Sequence, residues 1–306
     1  MTEARSIPLS ALELAAAMRD AQPYDSSRLD RVLRVDERHG LVEVQASTPW
    51  KAIAAALRPG DARAARTQTT MMTVGESLAH NAAGPDGRPA VMHVESIAVV
   101  TPAGELRRAS RTSQRELFAL VAGGQGLFGA LYSVTLDVGS LSRAVNEAAV
   151  LPETQARSNP LRLLVPPDKL DAFLADARSR CDEWRMALAG VEVRNTLQEN
   201  DTFLRWACRD YAAVTLPLAA SPVLGIAVRA TQLRRSLIDA AIAHGGSFAV
   251  SCTPEATREQ AEACYPQLPQ FLAEKRRIDP GERVVNPWYR HYRRLFGTQC
   301  AVRWAH

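Results

Sequence analysis

Two runs of small residues bear most directly on chemistry. In TVGESLAHNAAG, Thr73 to Gly84, bulky side chains are nearly absent, and a carboxylate, Glu76, stands in the middle. Such a run lets backbone pass close to a flat or charged group, either by exposing N–H donors or by removing side chains from its path. A second run, GGQGLFG, satisfies G-x-G-x-x-G at Gly124, Gly126 and Gly129. A dinucleotide fingerprint of the doubly wound kind needs a strand before it, a helix after it and an acid about twenty residues on. Here a helical pattern precedes and a strand pattern follows, so that reading fails on context. What remains is a glycine-rich turn ending a helix, which either admits close approach of a ligand or serves the fold alone.

Other chemistries find no pattern. G-x-S-x-G is absent, so no hydrolase elbow is expected. His39, His80, His93 and His244 are dispersed without metal spacing and read as surface or capped histidines, with no metal site expected. Cys181, Cys208, Cys252, Cys264 and Cys300 lack close pairing and read as buried or free thiols in a reducing compartment. A net charge of +4 is spread over most of the chain and calls for neither nucleic acid nor membrane. The exception is Glu274 to Gly297, where seven Lys and Arg face three acids. The opening MTEARSIPLS lacks the build of a signal peptide, so a cytoplasmic protein is expected. Tyr211 to Val228 is uncharged but broken by Pro217, Pro222 and Gly225, which predicts strand, turn and strand rather than a membrane span.

The elements that must position these runs follow from local signals. Ser10 with Glu13 forms a capping box ahead of a helix over LELAAAMRDA. LVEVQA alternates as a strand, and Thr48-Pro49 opens a helix over PWKAIAAALR. VMHVESIAVVTPAGELRRA predicts two strands joined by a turn at Pro102 to Gly104. Ser113 with Glu116 predicts a capped helix over RELFALVA, stopped by Gly123, and LYSVTLDV predicts a further strand. Beyond Gly139 longer helices alternate with single strands: helices over LDAFLADARSRC and TQLRRSLIDAAIAH, strands over GVEVRNTL and SFAVSC. The texture is α+β in two parts, 1–139 and 140–306.

The order RVLRVDERHGLVEVQASTPWKAIAAAL, TVGESLAHNAAG, then VESIAVVTPAGELRRASRTSQRELFALVAGGQGLFGALYSVTLDV resembles the FAD-binding domain of the FAD-linked oxidases of the vanillyl-alcohol-oxidase type, the PCMH fold. The tail FLAEKRRIDPGERVVNPWYRHYRRLFG resembles the segment with which these oxidases close over the flavin. The resemblance implies a PCMH-type FAD-binding domain, 1–139, followed by an α+β substrate domain, 140–306, whose C-terminal segment returns to the flavin. It implies FAD as cofactor, lined by Thr73, Val74, Gly75, Ser77, Leu78, Asn81 and Gly84, with Gly126, Gly129 and Ala130 on the other side and Asn286 from the tail. The physics agrees, since a planar ring and an anionic diphosphate call for exposed N–H groups and absent side chains.

Three departures accompany it. The family's earlier strand and diphosphate loop find no counterpart between ALELAAAMRDAQP and YDSSRLDRVLRVD. Glu76 stands where the family carries a second glycine, and an unpaired carboxylate beside a diphosphate is repelled. The histidine of the usual N-x-H-G is replaced, the stretch reading Asn81, Ala82, Ala83, Gly84.

A flavin oxidase also needs a base and a substrate anchor. In GVEVRNTL, Glu192 and Arg194 share one strand face, so Glu192 could take a proton and Arg194 could hold an anion; the alternative is an ordinary ion pair on a solvated face. Tyr289 joins them from the tail, where the alternative is a C-terminal helix packed by its aromatics. Two functions stand: an FAD-dependent oxidoreductase taking hydride from a small hydroxylated substrate, or a degenerate member serving as a binding or scaffolding subunit with a protein partner.

Overall fold

The computed structural model describes residues 5–57, 72–83, 86–141, 161–186, 190–216, 224–253 and 255–297. The chain divides into two compact units. The first comprises Met1–Glu153, Asp201–Phe203 and Glu274–Asn286; the second comprises Thr154–Asn200, Leu204–Ala273 and Pro287–His306.

The first unit is built on an antiparallel sheet of β1 (Val32–Asp36), β2 (Leu41–Gln45), β3 (Val94–Val100), β4 (Leu106–Ser110) and β5 (Ala130–Asp137), in the order β1-β2-β5-β3-β4. The strand latest in sequence therefore lies at the centre. β3 and β5 carry the apolar core through Ile97, Val99, Val100, Val134 and Leu136, each at most 1% exposed.

Helix α1 (Ala11–Arg19) starts where its sequence predicts: the Ser10 hydroxyl accepts from the Glu13 amide, while the Glu13 carboxylate accepts from Leu9 N, one residue outside the box. Its Leu14, Ala15 and Met18 join Leu29 and Val100, with Tyr24, Ala130, Tyr132 and Val284 packed around them. Fully buried leucines such as Leu14 and Leu29 each contribute about 2 kcal/mol of transfer free energy. Gly104, in the β3–β4 turn at φ +79, is needed twice over. The turn requires the left-handed backbone, and a Cβ would stand 2.7 Å from the Ala15 carbonyl oxygen of α1.

The first unit also carries helices α2 (Trp50–Leu57), α3 (Val74–Ala79) and α4 (Arg115–Val121). The capping expected of Ser113 and Glu116 does not form. Gln114 caps α4 at φ +49 without a side-chain bond. The Ser113 backbone is taken by Ser110 on both its N–H and its C=O, and Glu116 pairs with Arg277 at 2.8 Å.

The second unit carries β6 (Leu161–Val165), β7 (Glu192–Thr196), β8 (Tyr211–Leu216) and β9 (Ser247–Phe248), antiparallel in the order β7-β8-β6-β9. Its helices are α5 (Leu170–Glu183), α6 (Leu224–Ala243), α7 (Arg258–Cys264), the start of α8 (Leu268–Ile278) and α9 (Pro287–Phe296).

Two expectations are corrected here. The second strand expected before Val228 is the first turn of α6, which continues without an internal proline to bury Leu233, Leu237, Ile238 and Ala241. SFAVSC pairs only at Ser247 and Phe248, and Val250–Cys252 turn into a 3-10 helix. No described helix is long and apolar enough to cross a membrane.

Candidate functional site

The Thr73 run is a helix in its own right. Thr73 is the N-cap of α3, and Glu76 closes a reciprocal capping box: Thr73 N donates to Glu76 Oε2 at 2.8 Å and Glu76 N to Thr73 Oγ1 at 3.2 Å. Val74 N donates to Thr48 O at 3.0 Å, Gly75 N to Ala46 O at 2.7 Å and Ser77 N to Thr73 O at 2.9 Å. Every amide from Thr73 to Ser77 is thus committed within the chain. A Cβ on Gly75 would meet Ala46 O at 2.8 Å and Ala46 Cβ at 2.9 Å, so the close approach this glycine permits is to the chain just beyond β2. Ser77 Oγ accepts from the Trp50 indole N–H at 2.8 Å, and Val74 and Leu78 are each 1% exposed.

The other end of α3 closes differently. Ala82 N donates to Ser77 O at 2.8 Å and Asn81 N to Leu78 O at 3.0 Å, the paired bonds of a Schellman ending. Asn81 sits in the left-handed region at φ +46, a conformation that asparagine tolerates better than most residues. Its Oδ1 accepts from Val91 N at 3.0 Å. Gly84 lies outside the described residues.

The GGQGLFG turn is bonded onto this end. Gly123 N donates to Leu78 O at 2.8 Å and Gln125 N to Ala79 O at 2.9 Å. Gln125 Nε2 donates to Gly123 O at 3.2 Å, and its Oε1 lies 2.8 Å from His80 Nδ1. Gly123 and Gly126 take φ near +70, and a Cβ on Gly126 would have nothing within 4 Å. Gly129 is fixed by the sheet, since its Cβ would come within 2.3 Å of Val100 O. Ala130 packs in the α1 cluster.

The tail reaches the same junction: Asn286 Nδ2 donates to the Gln125 carbonyl at 2.8 Å. It is held there by the loop after α8. Buried Asp279 bonds the buried Lys275 ammonium and accepts from Arg283 N at 3.0 Å and Val284 N at 2.9 Å. Burial works against the Asp279 carboxylate, but Lys275 and the two amides outweigh it and hold its pKa below the ordinary value. Segment Asp201–Phe203 is tied into the same unit by Arg111, which bonds Asp201 at 2.9 and 3.0 Å, and by Phe203 N to Ala119 O at 2.9 Å.

In the second unit, Glu192 and Arg194 lie on edge strand β7, both half-buried and bonded to each other. They do share a face. Tyr289 is 1% exposed inside α9, beside Trp288, whose indole donates to Val250 O at 2.8 Å, and Tyr292, whose hydroxyl donates to Thr253 O at 3.0 Å.

Two groups went unread in the sequence. Gln125, the hub of the junction, sits between glycines with no local signal of its role; it takes φ +57 and its side chain bonds Gly123 O and His80. His93, expected at the surface or in a cap, is 3% exposed: Nδ1 lies 2.6 Å from Ser140 Oγ and Nε2 3.4 Å from Asp86. Burial opposes the Asp86 charge, yet His93 and the Arg88 amide keep its pKa lowered. Ser140 is 5% exposed, so this line braces the interior and offers no nucleophile to solvent.

The comparison with known families bears on the first unit. Residues 10–110 match a family described as FAD binding domain, which supports an FAD-binding domain of the PCMH type over this stretch and indicates FAD as its cofactor. The match covers about a third of the chain and takes in β1 to β4, stopping before β5, the central strand between β2 and β3. A search of curated proteins found no match.

The described residues fit that cofactor unevenly. At the N-terminus of α3 the amides are spent and a carboxylate stands in place of a ligand's anion, which does not fit a diphosphate. At the other end, the exposed Gly126 leaves backbone open to a neutral group.

Proposed function

We propose that this chain is an FAD-dependent oxidoreductase acting on a small hydroxylated compound, an alcohol, hydroxy acid or lactone, with a cofactor half (1–139) and a substrate half (140–306). The observation that carries this reading is the convergence on Gln125 of three segments remote in sequence, the end of α3, the GGQG turn and Asn286. Those are the segments that the resemblance assigns to the flavin. Gly126 and Asn286 are its cofactor-side candidates. Glu192 and Arg194 are its candidates for base and anion holder, roles that require them to exchange their mutual ion pair for substrate. Because the diphosphate finds no donors at the N-terminus of α3, its anchor lies elsewhere.

A second reading, a non-catalytic binding or scaffolding subunit, is favoured by one observation, the fully bonded amides of Thr73 to Ser77. The visible spectrum of the purified protein, taken before and after addition of FAD and removal of excess, separates the two. Retained flavin bands that bleach with a hydroxylated substrate support the first. A protein that stays colourless under every condition overturns it in favour of the second.

A further inference from the structure

The histidines of the described residues fall into three groups. His39 lies 3.0 Å from Asp36, His93 3.4 Å from Asp86 and His244 3.5 Å from Asp176, so each has a carboxylate to share its proton. His291 has an Ala256 backbone partner and stacks edgewise on Tyr292. His80 differs in its partner: its half-buried ring makes one hydrogen bond among the described residues, to the side-chain amide oxygen of Gln125.

That bond fixes where the proton sits. Gly123 O can only accept, so the Gln125 amide turns its NH2 towards Gly123 and its oxygen towards His80. An amide oxygen cannot donate, so His80 Nδ1 must carry the hydrogen. In the neutral ring Nε2 then keeps its lone pair. Turning the Gln125 amide over would set its oxygen against Gly123 O, two acceptors facing each other, while its backbone is held in place, N–H to Ala79 O and C=O to Asn286. His80 is only half-buried, and among the described residues Nε2 makes no hydrogen bond.

We infer that His80 presents Nε2 as a hydrogen-bond acceptor to the hydroxyl group of the ligand at this junction, with Gln125 and Asn286 as positioning residues that hold the tautomer. This rests on the proposed reading that the substrate is hydroxylated, and on its meeting the flavin at this junction. The acceptor recognises an O–H donor and disfavours an ether or ester of the same shape, which would leave two acceptors facing each other.

The test is nitrogen NMR on the full-length, 15N-labelled protein with FAD supplied, using glycolate and 1,2-propanediol as probes. The expected result is a protonated Nδ1 and an unprotonated Nε2 on His80, with the Nε2 signal moving on addition of a probe. Gln125→Leu should abolish the single tautomer, and His80→Phe should weaken probe binding by about tenfold, the loss of one hydrogen bond. An Nε2–H tautomer with Gln125 intact overturns the inference. So does probe binding, seen as calorimetric heat, that leaves Nε2 unmoved and is equal in His80→Phe; the proposed function then survives. If flavin bands are retained but neither probe binds, the inference falls together with the substrate class. Loss of the flavin bands themselves marks failure of the broader reading.

Discussion

The two ends of α3 solve the same problem by opposite means. At the N-terminus the free amides are satisfied locally and by the chain just after β2, from Ala46 and Thr48, and Glu76 supplies the anion that the helix end favours. At the C-terminus the last carbonyls are satisfied by a turn more than forty residues later, and that turn is gripped by a side chain more than 150 residues later still. One end is closed on itself. The other is a junction of three segments, and there His80 keeps an acceptor in reserve. Small residues therefore do two jobs: Gly75 admits the chain beyond β2, while Asn81 and the glycines after α4 build the junction of three segments.

The contrast breaks most severely at the tail. Asp279→Ala strips the buried Lys275 of its counter-ion and frees the Arg283 and Val284 amides, so unfolding free energy should fall by about 3–5 kcal/mol in urea denaturation. The same group gives a pH signature. Its folded pKa is depressed, so the stability it contributes is present above the unfolded value and is lost as pH falls through the folded one, in the acid range below the ordinary carboxylate value of 3.8.

Next in size is the turn. Gly124→Ala places a Cβ 1.8 Å from Leu120 O and should cost about 3 kcal/mol in thermal or urea unfolding, loosening the C-terminal junction without touching the N-terminal one. Gly75→Ala tests the opposite end. The clash with Ala46 should cost about 2 kcal/mol whether or not FAD is present, since the crowding is with the chain itself. A cost that appears only with FAD would reassign that glycine to the cofactor.

The smallest effect sharpens the comparison furthest. Glu76→Ala should cost about 1 kcal/mol of stability, whereas Glu76→Gln, which keeps an acceptor, should cost less. Neither change should raise FAD retention in equilibrium dialysis, because Val74 N and Gly75 N stay bonded to Thr48 and Ala46. A clear gain in retention would mean that the carboxylate alone was closing an anion site.

Local signals announced much of this architecture. The Ser10 cap, the alternation of LVEVQA, the Pro102–Gly104 turn and the strand LYSVTLDV all lie where the chain's own periodicity places them. Misreadings came where a local signal met a competing partner: Ser113 and Glu116 look like a cap until Ser110 and Arg277 claim them. The site was legible only as composition. That Thr73 to Gly84 and Gly123 to Gly129 must admit close approach is written in their glycines and alanines.

What approaches is not written there. By itself the sequence determined that backbone would come near something at these runs and that Glu192 and Arg194 would share a strand face, because each depends on residues close together in the chain; that Glu76 caps its own helix with Thr73 emerged from the structure. Only the tertiary structure decided that Gly75 meets Ala46, that Gly123 and Gln125 bond the end of α3, and that Asn286 and His80 meet at Gln125. Those contacts join residues 29 to 161 positions apart, and no periodicity in a local window carries the identity of so distant a partner.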